Sequence, residues 1–185
     1  MTRDYTDEEL MLMYRDGDVT AFEILYRRHR GPVYRFILRR CGSGASAEEL
    51  FQDVWLKLIQ ARERYEVSAK FTTYLYRIAN NRVIDYFRKV AAATVPDTEP
   101  GAEQQPGPAC AQPERRAEIG QQAQQLLDAI AALPAEQQQV FLLKEEAGMS
   151  LAEIAETLGV NAETVKSRLR YALKKLKSAM AEYDD

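Results

Sequence analysis

Two stretches carry side chains suited to nucleic acid. Between Phe71 and Lys89, the rings and apolar groups of Phe71, Tyr74, Leu75, Ile78, Ile84 and Phe87 are interleaved with Arg77, Asn80, Asn81, Arg82, Arg88 and Lys89. Bases stack on rings while Arg and Lys follow phosphates, so this mixture fits single-stranded DNA. Spacing alone favours a plainer reading, an amphipathic helix whose aromatics are core, because rings at helical period are usually packing residues. The second stretch is a basic helix from Ala162, where Lys166, Ser167, Arg168, Arg170 and Tyr171 lie opposite an apolar stripe of Val165, Leu169, Ala172, Leu173 and Leu176.

Other chemistry is excluded by what the chain lacks. His29 is the only histidine, and Cys41 and Cys110 have no metal-ligand spacing, so neither a metal site nor any cofactor is expected. No nucleotide-binding Gly-rich loop or HExxH-like motif occurs, and no enzyme activity is expected. The two cysteines read as reduced thiols. The start of the chain lacks a secretory pattern and no apolar run reaches the roughly 18 residues of a membrane span, so a cytoplasmic location without membrane insertion is expected. The net charge of −3 hides a segregation: Arg27 to Arg40 and Lys166 to Lys177 contain no acid, and Arg77 to Lys89 contains only Asp85.

The elements that position these residues are all helical. Ser150 and Glu153 have the spacing of a capping box, Ile154, Ala155 and Leu158 follow at helical period, Gly159 suits a left-handed turn and Asn161 caps the basic helix. Short helix, glycine turn and basic helix make a helix-turn-helix. Upstream, Leu126, Leu127, Ile130 and Leu133 mark a helix stopped by Pro134, and another spans about Val140 to Glu146. In the amino-terminal half, Thr6 with Glu9 starts a short helix, Asp18 caps a longer one containing Pro32, and Ser46 with Glu49 is read as the capping box of a third. This third helix carries the apolar stripe Leu50, Phe51, Val54, Trp55, Leu58 and Ile59. Ala61 to Lys70 reads as a loop with partial helix, and a long helix begins near Phe71.

From Ala91 to Glu114, five prolines fall among Ala, Gly, Gln and acidic residues, the composition of a flexible linker. The predicted fold is all-α: helical domains at 1–90 and 115–185 joined by a linker at 91–114. Such a linker spans about 25 to 30 Å when relaxed and about 80 Å when stretched.

Ala47-Glu-Glu-Leu-Phe-Gln-Asp-Val-Trp-Leu-Lys-Leu58, followed by Phe71-Thr-Thr-Tyr-Leu-Tyr-Arg-Ile-Ala-Asn-Asn-Arg-Val-Ile-Asp-Tyr-Phe-Arg88, resembles region 2 of the extracytoplasmic-function (ECF) group of bacterial sigma-70 factors. Leu133-Pro134, Val140-Phe-Leu-Leu-Lys144, Ser150-Leu-Ala-Glu-Ile-Ala155 and Glu163-Thr-Val-Lys-Ser-Arg168 resemble region 4. The resemblance covers nearly the whole chain. It implies a factor that binds core RNA polymerase, recognises the minus-thirty-five and minus-ten promoter elements and promotes strand opening.

It further implies that Glu49, Gln52, Asp53 and Trp55 meet the coiled coil of the polymerase β′ clamp, with the β flap as a second contact. Tyr74, Arg77, Asn80, Asn81, Arg82 and Arg88 would hold the minus-ten strand, Asn80 and Asn81 matching positions near a captured base. Many members have Trp where this chain has Tyr74, which offers less stacking area. Thr164, Lys166, Ser167, Arg168, Arg170 and Tyr171 would meet the minus-thirty-five duplex in its major groove. Promoter DNA, double- and single-stranded, and an anti-sigma factor are the other partners implied.

Promoter elements two duplex turns apart are separated by roughly 70 Å, so simultaneous engagement requires core polymerase to spread the domains. The rival readings are a helix-turn-helix regulator acting on duplex DNA without polymerase, and a helical adaptor that touches only protein.

Overall fold

Helix caps encoded in the sequence set where the chain turns. The computed structural model describes residues 5–93 and 120–181, and among these every regular element is helical. The amino-terminal body comprises α1 (Asp7–Arg15), α2 (Val19–Cys41), α3 (Gly44–Ala61), a 3-10 turn (Arg62–Arg64) and α4 (Phe71–Ala93). The second body comprises α5 (Gln121–Ala131), α6 (Ala135–Glu145), α7 (Leu151–Leu158) and α8 (Ala162–Ala181). Thr6 and Ser150 form reciprocal capping boxes with Glu9 and Glu153, and the Asp18 carboxylate accepts from the amides of Thr20 and Ala21. Each satisfies amides that the first helical turn leaves without partners.

Ser46 is not a cap. α3 starts earlier, on Ser43, whose hydroxyl accepts from the Ser46 amide, while the Ser46 hydroxyl lies 3.1 Å from the Tyr86 hydroxyl on α4. Both serines have cap chemistry, and the left-handed Gly42 that ends α2 at φ 70° turns the chain so that the first is used. α4 also runs to Ala93, three residues past the expected domain boundary. The rest of the expected linker, with Cys110, lies outside the described residues. Cys41 is a buried thiol beneath α2's end.

In the first body, Leu25, Val33, Phe36 and Ile37 of α2 meet Val54 and Leu58 of α3 and Phe71, Leu75, Ala79 and Val83 of α4. Each of these side chains except the Ala79 methyl contributes about 1.5 to 3 kcal/mol on burial. One flank is aromatic: Trp55 stands edge-on to Tyr26 at 4.8 Å and to Phe22 at 5.9 Å, with Phe51 at 6.1 Å. The second body is built on Val140, Leu142, Leu143, Met149, Ile154, Val165, Ala172 and Leu176. Three residues of the expected apolar stripes are not inside: Leu173, Ile59 and Leu126 are exposed. Val165, Leu169, Ala172 and Leu176 already complete the inward stripe of α8, and Leu173 is one residue, about 100°, round from Ala172. Ile59 follows Leu58 past the edge of α3's stripe in the same way.

The two bodies meet directly. α2 packs on α5 and α6, and α4 packs on α7. No described helix is long and apolar enough to cross a membrane.

Candidate nucleic-acid interface

α8 presents its basic face because its apolar stripe is taken up by α5, α6 and α7. Asn161 accepts from the Thr164 amide at 2.7 Å, and Gly159, at φ 65°, ends α7 in the left-handed conformation that a side chain would strain. Lys166 is exposed, with Glu163 3.8 Å away, and Ser167 is half-buried beside it. The Arg170 guanidinium lies 5.1 Å from the exposed Tyr171 ring. Arg168 is more constrained, being paired at 2.6 Å with Glu136 on α6. An arginine so held is pre-aimed, and moving it to a phosphate requires giving up that carboxylate. Lys174, Lys175 and Lys177 extend the positive face without an acid.

α4 is more varied. Its first amide donates to the Glu8 carboxylate of α1 at 2.7 Å, which fixes the helix start. Arg77 and Asn81 are exposed, Arg82 pairs with Asp85 at 2.7 Å, and Arg88 reaches the same carboxylate at 3.9 Å. Tyr74 is half-buried, 5.3 Å from Tyr65, and burial pushes its phenol pKa up. Asn80 differs from its neighbour: it is 3% exposed, and its side-chain oxygen accepts from the Gln139 amide of α6. The aromatics divide between the two readings of this helix, with Phe71 and Tyr76 buried and Tyr74, Tyr86 and Phe87 at the rim.

On α3, Glu49 and Gln52 are exposed and Asp53 is half-buried, whereas Trp55 points into the aromatic flank and is 5% exposed. Trp55 therefore supports this face from beneath. Leu56 and Ile59 extend the outer surface of the helix instead. Their i+4 and i+7 relation to Gln52 was the available signal.

Tyr65 is another residue that periodicity missed. It lies in an irregular loop yet is buried against Phe71 and Tyr74, and burial raises its phenol to about 12.

The chain matches the family models Sigma-70 region 2 over residues 25–93 and Sigma-70, region 4 over residues 123–176. It is 33% identical over 174 residues to the ECF RNA polymerase sigma factor SigL of Mycobacterium tuberculosis, covering 90% of this chain and 92% of that protein. It is 30% identical to the RNA polymerase sigma factor CarQ of Myxococcus xanthus, over 94% of this chain and 97% of CarQ. The chain belongs to the ECF group of sigma-70 factors. Its fold is also that of CnrH, solved with the cytosolic domain of CnrY, at a TM-score of 0.69 and 21% identity over 97% of this chain and 99% of that one. The sigma factor RpoE of Bartonella quintana, solved with the anti-sigma factor NepR, gives 0.66 and 19% over 86% of this chain and 96% of that one. As an ECF sigma factor the protein binds core RNA polymerase and directs initiation at promoters with minus-thirty-five and minus-ten elements. The region 2 match runs from within α2 to the end of α4, and the region 4 match from α5 into α8.

Proposed function

We propose a division of promoter work between α8 and α4. α8 enters the major groove of the minus-thirty-five element through Thr164, Lys166, Ser167, Arg168, Arg170 and Tyr171, its first turns nearest the base edges. α4, with Tyr74, Arg77, Asn80, Asn81, Arg82 and Arg88, holds the opened minus-ten strand, amides on base edges and cations on phosphate. α3 docks on the polymerase clamp through Glu49, Gln52 and Asp53, with Trp55 holding their helix in place. The chain carries no enzyme activity, acts in the cytoplasm and takes an anti-sigma factor as its inhibitor. Its domains are an amino-terminal one that ends with α4 and a second at 115–185, with the linker between them.

The observation that supports this reading best is the exposed cationic face of α8 on a capped helix-turn-helix, in one chain with a region 2 match. That match disfavours a regulator acting on duplex DNA alone and an adaptor that touches only protein. The deciding experiment adds the protein to sigma-free core polymerase with a library of genomic promoter fragments. Initiation at discrete start sites is expected. Tight promoter binding without polymerase, and no initiation with it, would sink the assignment.

A further inference from the structure

α4 does not carry its own start signal. α1, α2, α3 and α7 begin on Thr6, Asp18, Ser43 and Ser150, each of which accepts from an amide of its own first turn. The corresponding position before α4 is Lys70, whose carbonyl accepts the first helical bond from the Tyr74 amide at 3.2 Å. A lysine side chain has no acceptor, and its ammonium is the wrong charge for the positive end of a helix. Ser68 is two residues too early, the first turn of α4 contains no acid, and the buried Thr73 hydroxyl finds no partner among the described residues.

The missing acceptor comes from another helix. Glu8 of α1, itself half-buried, accepts from the Phe71 amide at 2.7 Å. An anion thereby stands where the macrodipole of α4 favours one, on an amide the first turn leaves without a partner. Seven residues along α1, two turns on and on the same face, Arg15 donates to the Tyr65 carbonyl at 3.4 Å. One face of α1 thus holds both the Tyr65 end of the loop and the first amide of the helix that follows it.

α1 is in turn held on α2. Leu10, Met11 and Tyr14 are buried, Arg28 donates to the Asp7 carboxylate at 2.8 Å, and His29 lies 2.7 Å from its other oxygen. α1 lies ahead of the region 2 match, which begins at residue 25. What it fixes in α4 is the end nearest Tyr74 and Arg77, which follow the capped amide by about one and two turns. A helix end without a cap frays, and it carries its side chains with it.

We propose that Glu8 is a positioning residue for promoter opening: it caps α4 from α1 and so sets where the strand-receiving helix begins. The effect on opening rests on the proposed role of α4; the cap itself does not.

Hydrogen exchange at single amides of the full chain, read by NMR, tests the cap. Glu8→Ala should speed exchange at Phe71 and Tyr74 by about threefold to tenfold, while Ala79 and Val83 further along α4 keep the wild-type rate and show that the fold is intact. Glu8→Gln retains a neutral acceptor and should fall between the two. Wild-type exchange at Phe71 in the Glu8→Ala protein would overturn the cap.

Opening is the second readout, followed with core polymerase as base reactivity in the bubble. At saturating protein, Glu8→Ala should slow opening by about threefold to tenfold, with the concentration for half-maximal closed-complex formation unchanged. A local cap should restore the rate. Glu8→Ala with Lys70→Asp puts an acceptor at the N-cap of α4, and should open faster than Glu8→Ala with Lys70→Ala, which removes the same lysine and supplies no cap. Equal opening by these two proteins would overturn the positioning role. So would wild-type opening by a Glu8→Ala protein whose Phe71 amide exchanges faster, or a loss of closed-complex formation equal to the loss of opening. If wild type itself opens no promoter while exchange still follows the cap, the reading of α4 fails and the cap stands.

Discussion

α8 holds Lys166 and Tyr171 in solvent, whereas α4 keeps Asn80 beneath a glutamine from the other region. The difference fits the division of promoter work proposed for the two helices. A duplex displays its base edges in a groove about 12 Å wide, so its reader must protrude. An unstacked base has to be received by a surface with amides and rings, and a surface that receives can also be filled. On that division Lys166 and Tyr171 already face solvent, whereas Asn80 is covered by Gln139.

The sharpest break of that comparison comes from paired substitutions on α8. Lys166→Ala with Arg168→Ala is expected to weaken minus-thirty-five recognition by about tenfold to a hundredfold, since base and phosphate contacts are each worth about 1 to 3 kcal/mol at best. Competition for core polymerase should be unaltered, and equal loss of both would point to misfolding instead. Asn80→Ala with Asn81→Ala should leave closed-complex binding alone and slow promoter opening by about tenfold, read as base reactivity in the bubble. Unchanged opening would remove both asparagines from the receiving surface.

The smallest effect concerns acid. The Lys70 ammonium, followed by the Ser150 amide and hydroxyl, holds the Glu153 carboxyl down to about 2. Its folded pKa is below the unfolded value of 4.5, so the stabilisation is complete above that value and is lost as pH falls towards 2. Glu153→Gln keeps a capping side chain but not the charge, and should flatten the acid limb of a denaturation midpoint plotted against pH. An acid limb identical to wild type would mean that the tie from Lys70, just before α4, to α7 carries no stability.

Most of the helices could be read from the chain because their signals are local: capping boxes at Thr6 and Ser150, and apolar stripes at period 3.6. Ser46 misled because a second serine three residues earlier has the same chemistry. Leu173 misled because a leucine at a stripe's edge looks like one in its middle. The contact between regions was not legible at all. Arg35 and Arg39 meet an acid 111 and 107 residues away, and nothing in the local pattern distinguishes Glu146 from its exposed neighbour Glu145. Asn80 and Asn81 are alike on paper, and only the approach of α6 separates them.

The loop before α4 has a consequence of another kind. Tyr65 pins it to the core through Phe71 and Tyr74, while Arg64, Glu66, Val67 and Ser68 on either side of that anchor are exposed. A segment nailed at one point can exchange its remaining letters at little cost to the fold. In a lineage of such factors, these four positions can drift while the helices around them are kept.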